Sequence, residues 1–401
     1  MEELIFFAAL LAFLFGLVSA LADHSPITAP MVFVAIGALV GPVGFGLFEA
    51  EMNNEMVMIV AEITLILILF TDASTIDLRA LRGEYRIPLR LLAIGLPLTM
   101  LMGLAVAAPL FPEMGLWTVA AMAFILAPTD AALGQAVVSS KQVPARVRDS
   151  IAVESGLNDG IAFPPILACM AALTAAAGTD LEVGYWGAFA ARQIAFGPVA
   201  GSAVGLVGGW LIVRAVRRGW MQPVFQRMAC IALALMSYAL AEQLGGNGFI
   251  AAFFGGLMLG VRTRKLRERI QDFGEAEGQQ LELFVFLIFG IVLIPMAVPH
   301  WDGPALLYAV LSLTVIRLIP VALALLKSGL DTPAVGFIGW FGPRGIASVL
   351  YLLIFVGKVG SEGYERMLAV VVLTVLLSVF LHGLSAVPLC SLYGRQAKPN
   401  G

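Results

Sequence analysis

Apolar residues along this chain run in long blocks separated by short charged segments. Crossing the hydrocarbon core of a bilayer takes about 20 mostly apolar residues per helix. Blocks of that order recur at 3–21, 27–48, 54–76, 87–110, 114–138, 147–176, 186–213, 227–244, 246–261, 279–298, 303–326, 333–356 and 367–391. The pattern predicts an all-α polytopic membrane protein with 13 transmembrane helices.

Composition removes the competing class. Of the 401 residues 60% are hydrophobic and 13% are charged, with mean hydropathy +0.94, whereas soluble domains average about 25% charged. Cys169, Cys230 and Cys390 all fall inside apolar blocks, so they read as small buried hydrophobes with no disulfide framework and no metal spacing. Met1-Glu2-Glu3 lacks the basic stretch of a signal peptide, so the first block is expected to remain as a helix. No soluble domain is expected, and only a short tail follows the last block.

The placement of charge orients the chain. Arg79, Arg82, Arg86 and Arg90 lie between blocks 3 and 4, and Lys141, Arg146 and Arg148 between 5 and 6. Arg214, Arg217, Arg218 and Arg227 lie between 7 and 8, and Arg262, Arg264, Lys265, Arg267 and Arg269 between 9 and 10. With Lys327, Arg395 and Lys398, 19 of the 24 Lys and Arg fall on one side. The other side has Lys358, Arg366 and the acidic segments EAEMNNE and TDLEV. The positive-inside rule then places the N-terminus outside and the C-terminus in the cytoplasm, as an odd number of crossings requires.

Two blocks are interrupted near their middles. Block 5 contains LAPTDAALG, with Pro128-Thr129-Asp130, and block 12 contains GWFGPRGIAS, with Gly342-Pro343-Arg344-Gly345. Proline and glycine weaken a helix interior, and freed backbone groups at membrane depth persist only where protein or a cavity satisfies them. The breaks are seven blocks apart, an odd offset that reverses direction. The prediction is two inverted six-helix repeats, blocks 1–6 and 8–13, with discontinuous helices 5 and 12 crossing. Paired interrupted segments of this kind are a pointer to a transporter's binding site. Gly201, Gly205 and Gly209 in block 7 are spaced for close helix–helix contact.

A charge at the bilayer centre costs about 2.5–3.5 kcal/mol on insertion scales. Asp72, Asp130, Glu154, Asp159, Arg317 and Arg344 therefore need explaining, while Glu62 and Arg192 lie nearer helix ends and stay unassigned. In block 6, Ser155 and Asp159 are four residues apart, as are Glu154 and Asn158, so each pair shares a helix face. The Ser155/Asp159 stripe offers the oxygens a hard cation takes. The structural alternatives are a buried carboxylate bonded to amides for Asp159 and a hydroxyl bonded back to its own helix for Ser155. If the breaks cross, Asp130 can neutralise exposed helix N-termini and Arg344 exposed C-termini. For Asp130 a capping role and a functional one both stand at this point; Arg344 reads as structural. Arg317 lies deep in block 11, and Glu154 is a reasonable partner, since Asp159 must stay free to exchange ligands. Asp72 lies near one end of block 3, where it either lines an entry funnel or is solvated.

ESGLNDG in block 6, PTD in block 5, GNGFIAAFFGGLMLG in block 9 and GPRGIAS in block 12 together resemble bacterial monovalent cation/proton antiporters of the CPA1, NhaP-like type. The resemblance runs over nearly the whole chain and keeps the motif order. It implies ion binding at Asp159 with oxygens from Ser155 and the Thr129 region, a Glu154–Arg317 ion pair, and Asp130 and Arg344 at the crossed half-helices. It implies dimerisation helices in 1–78 and 181–300, a transport core in 79–180 and 301–401, and a homodimer in the cell membrane. Asn158 stands where electrogenic relatives carry a second aspartate, which suggests one cation per proton. The partners implied are H⁺, a monovalent cation (Na⁺, also Li⁺) and membrane lipid, with no cofactor, no resident metal and no nucleic acid.

Other classes fit less well. A K⁺/H⁺ antiporter would share the mechanism. A sodium-coupled organic-anion symporter would offer paired polar crossover motifs in place of Arg344 and Asn158-Asp159. An intramembrane aspartyl protease could use Asp130 and Asp159 as a dyad, but the flanks PTDAA and LNDGI lack its usual GxGD signature. A channel would require a filter-like repeat.

Overall fold

Helix occupies every apolar block in a computed structural model of the chain, which describes residues 2–22, 25–48, 55–75, 86–130, 133–177, 183–262 and 267–397. Arg79, Arg82, Arg264, Lys265, Lys398 and most of EAEMNNE and TDLEV lie outside the described residues. All regular structure among the described residues is helical, and nine helices are long and apolar enough to cross a membrane. Four shorter apolar helices, Ala29–Val40, Leu116–Ile125, Gly248–Val261 and Ile346–Val359, fall in blocks 2, 5, 9 and 12.

In chain order the helices are α1 (Glu2–Ala22), α2 (Ala29–Val40), α3 (Glu55–Thr75), α4 (Arg86–Leu110), α5 (Leu116–Ile125), the single turn α6 (Gln135–Val138) and α7 (Ala145–Ala177). They continue as α8 (Val183–Arg217), α9 (Pro223–Gln243), α10 (Gly248–Arg262), α11 (Arg267–Ile288, running on irregularly to His300), α12 (Gly303–Leu313) and α13 (Val315–Ala324). The last three are α14 (Thr332–Trp340), α15 (Ile346–Val359) and α16 (Glu365–Ala397). Several starts follow from local chemistry. Asp302 and Asp331 cap α12 and α14, accepting from Ala305 N at 2.8 Å and Ala334 N at 3.2 Å, each with a proline in the first turn.

Three details differ from the apolar pattern. Block 2 is helical only to Val40, because Gly41 and Pro42 end the helix and turns follow. Block 11 is split at Thr314, whose backbone (φ −118°, ψ −94°) leaves the helical region between α12 and α13. α4 and α11 each contain a five-residue π-turn, Leu91–Gly95 and Phe289–Leu293, followed at the second position by Pro97 or Pro295. A wider turn ahead of a proline relieves the clash of its ring with the preceding carbonyl.

By contacts the chain divides into two units. The first comprises 1–58, 86–158 and 282–401; here α16 packs along α12 and α2 packs on the π-turn of α11. The second comprises 59–85 and 159–281, so the division falls inside α7, between Asn158 and Asp159. In the second unit α8 and α10 pack most closely. A Cβ on Gly201 would lie 2.0 Å from Ala251 O, and one on Gly205 2.1 Å from Gly255 O, so these helices touch main chain to main chain. The glycines predicted to face a neighbouring helix do so at 201 and 205, and Gly208 extends the contact onto Leu233 of α9. The second half of α7 joins this unit through Phe163, edge-on to Phe249 at 5.2 Å. Cys169, Cys230 and Cys390 are buried free thiols.

Gly205→Ala is expected to force α8 and α10 apart and lower stability by about 1–3 kcal/mol, as overpacking does. Thermal unfolding in detergent checks this, with Gly16→Ala, where nothing lies within 4 Å of the new methyl group, expected to leave the midpoint in place.

Candidate functional site

The two breaks lie together in the first unit. α5 ends at Ile125 and the chain continues without helix through Pro128-Thr129-Asp130; α14 ends at Trp340 and α15 begins at Ile346. The crossing strands bond directly, with Asp130 N donating to Pro343 O at 2.8 Å.

Each break supplies the charge that the other's helix end requires. α15 starts with unpaired N–H groups and partial positive charge, and the Asp130 carboxylate accepts from Ile346 N there. Its second oxygen accepts from Leu133 N at 3.1 Å. α5 ends in unpaired carbonyls, and Arg344 Nη1 donates to Ala127 O at 2.8 Å and Pro128 O at 3.0 Å. Ser348 Oγ adds a bond to Ile125 O at 2.8 Å. Glycine is required where the breaks meet, because a Cβ on Gly345 would lie 1.9 Å from the Asp130 carboxylate. These two bonds of Asp130 are those of a cap reaching across the crossing.

Beside the crossing lies a buried polar cluster. Thr129 Oγ1 is 3.0 Å from Ser155 Oγ and accepts from Asn158 Nδ2 at 2.6 Å. Ser155 therefore bonds across to the break. Glu154, on the same helix, meets Arg317 of α13 through two parallel bonds of 2.7 and 2.8 Å, with both side chains 2% exposed. The split at Thr314 precedes Arg317 by one turn. Gly342 faces the same guanidinium, since a Cβ there would be 2.5 Å from Arg317 Nε and 2.9 Å from Thr129 Cγ2. Thr129, Asp130, Glu154, Ser155, Asn158, Arg317 and Arg344 are thus one buried constellation.

Asp159 follows Asn158 on α7, is 6% exposed, and belongs to the second unit. It shares a helix face with Ser155, one turn earlier. Asp72 lies half-buried near the end of α3, also in the second unit. Among the described residues no group of three or more His, Cys, Asp or Glu side chains is arranged to hold a metal ion.

Sequence reasoning passed over Ser348, Ser378 and His382. Ser378 Oγ accepts from Arg344 N at 2.7 Å, and His382 Nδ1 lies 3.1 Å from the same oxygen. The available signal was Ser378, His382 and Ser385 at spacings of four and three, in LSVFLHGLS, within an apolar stretch of α16. The Tyr238 hydroxyl donates to Glu62, which gives that carboxylate a partner within the second unit.

Comparison with known proteins places the chain in context. The family described as "Sodium/hydrogen exchanger, transmembrane" matches residues 9–392. The K⁺/H⁺ antiporter NhaP2 of Shewanella sp. (strain ANA-3) is 26% identical over 380 residues, covering 94% of this chain and 64% of that protein. The chain therefore spans about two thirds of the length of such relatives. The sodium, potassium, lithium and rubidium/H⁺ antiporter of Bacillus subtilis is 28% identical over 280 residues, covering 67% of this chain and 39% of that protein. Among solved structures, the sodium proton antiporter MjNhaP1 from Methanocaldococcus jannaschii at pH 8 superposes with TM-score 0.78, at 18% identity, over 97% of this chain and 98% of that one. The two share a polytopic helical fold.

Arg317→Met alone leaves Glu154 a buried carboxylate without its counter-charge and is expected to lower stability by about 3–5 kcal/mol. Adding Glu154→Leu is expected to restore much of the loss. A double-mutant cycle by unfolding in detergent checks this, and strictly additive losses would contradict the pairing.

Proposed function

The chain belongs to the sodium/hydrogen exchanger family, and on that premise we propose that it exchanges a monovalent cation for a proton across the cell membrane. One observation carries the reading: two broken helices cross at membrane depth beside the Thr129 and Ser155 hydroxyls, with Ser155 one turn before the buried Asp159. Polar and ionisable groups at that depth are costly to keep and commonly mark an ion pathway, which supports the reading.

Asp159 is the proposed carrier. A carboxylate holds either a proton or a cation, so competition at one group couples the two fluxes. Ser155 and Thr129 contribute oxygens, Asn158 orients Thr129, Asp130 and Arg344 hold the crossing, and the Glu154–Arg317 pair holds α7 against α13. Asp72 is proposed to line an entry funnel. Asn158 beside the carrier leaves a single exchanging charge, which supports electroneutral one-for-one exchange. Alternating access follows from the core helices, in 79–180 and 301–401, moving against dimerisation helices in 1–78 and 181–300 of a homodimer. The basic segments support an outer N-terminus and a cytoplasmic C-terminus.

Na⁺, with Li⁺, is the cation we propose, on the family's description. K⁺ is the second reading, supported by the activity in the names of the Shewanella and Alkalimonas amylolytica relatives.

Asp159→Asn is expected to reduce cation-driven proton flux to the level of protein-free liposomes. The assay is dequenching of a pH dye in proteoliposomes on adding Na⁺ and then K⁺, with valinomycin clamping the potential. Flux at the wild-type rate in the variant would remove Asp159 from the mechanism; wild-type flux that follows the clamp would remove electroneutrality.

A further inference from the structure

Each break is braced by polar residues on the long helix that follows it. On α7 the brace is Ser155 and Asn158, and it holds Thr129. The second brace is on α16, where Ser378, His382 and Ser385 are four and three residues apart and form one stripe. Ser378 and His382 are 0% and 1% exposed.

This second stripe holds its break at both ends. Arg344 N donates to Ser378 Oγ at 2.7 Å. The His382 ring nitrogen Nδ1 lies 3.1 Å from that oxygen and 3.1 Å from the Ser378 carbonyl oxygen, so the imidazole fixes the hydroxyl's rotamer. The His382 ring also packs on Trp340, with centroids 4.9 Å apart, and Trp340 Nε1 donates to Ser385 Oγ at 3.0 Å. Trp340 ends α14, and Arg344 lies two residues before α15.

We propose that Ser378 and His382 are positioning residues for exchange. They hold Arg344 over the carbonyl oxygens of Ala127 and Pro128 and so keep those oxygens away from the cation. This inference rests on the exchange reading above. The two carbonyls directly precede Thr129, and Arg344 Nη1 occupies both. Once Arg344 is displaced, they become two extra oxygen ligands beside the Thr129 hydroxyl. A transport site must bind its ion weakly enough to release it; added oxygens tighten binding and slow release. Loss of the brace therefore has a signature that loss of folded protein lacks: apparent cation affinity rises while turnover falls.

The test is Ser378→Ala in proteoliposomes, with proton flux measured over a range of cation concentrations. The expected result is a fall in both the half-saturating cation concentration and the maximal rate, each by about three- to tenfold, the size expected of one buried hydrogen bond. Ser378→Thr, which keeps the hydroxyl, is expected to stay within about twofold of wild type on both measures. His382→Asn, which keeps a donor near the Nδ1 position, is expected to fall between them. Should Ser378→Ala not survive purification, Ser378→Cys keeps the size and only a weak acceptor, and it reads the same two quantities. A maximal rate that falls with half-saturation unchanged, or no change in either, overturns the inference and leaves the exchange reading standing. A wild type without cation-driven proton flux removes that reading and this inference with it.

Discussion

A peptide group freed from its helix at membrane depth has no water to bond, and each one left unpaired costs several kcal/mol. Everything else around the crossing follows from that constraint. Two helices break, and the two breaks satisfy each other: a carboxylate from one meets the amide end of α15, and a guanidinium from the other meets the carbonyl end of α5. Asp130 and Arg344 are the two charges this arrangement needs, with the signs it needs. Gly345 permits the approach, and Ser348 and Ser378 take up further backbone groups. The Glu154–Arg317 pair serves the same frame from outside the breaks, tying α7 to α13.

Much of this was legible in the sequence because the residues concerned have few other uses at that depth. Pro128 and the Gly342-Pro343 pair mark the breaks, and the signs of Asp130 and Arg344 foretell which helix ends they meet. Glu154 and Arg317 were pairable because an unpartnered charge in an apolar block is too costly to leave alone. The split at Thr314 was not legible. Threonine in an apolar block is as compatible with a continuous helix as with a broken one. The π-turns were hidden for a related reason: Pro97 and Pro295 announce a disturbance, but not whether it takes the form of a kink or a widened turn. Ser378 and His382 were passed over because neither carries an obligatory charge, so their spacing gained meaning only once Arg344 N was seen between them.

The two contact units are held by different kinds of force. In the first, charge-assisted bonds and hydroxyl bridges connect α5, α7, α13, α15 and α16 around the breaks. In the second, α8 and α10 touch through glycine main chains, and aromatic rings of α7, α9 and α10 pack edge to face. Polar bonds at a break tolerate small changes of angle, whereas main-chain contacts between glycines admit almost no change of separation. α7 runs through both, with Asn158 and Asp159 at the changeover.

The partners chosen at the crossing have a further consequence. Asp130 is answered by amide hydrogens and Arg344 by carbonyl oxygens. Peptide groups neither gain nor lose protons at any pH a cell reaches, so the groups that answer these two side chains keep their polarity. Acidity can therefore reach these bonds only through the two side chains themselves, and not through the peptide groups that hold them.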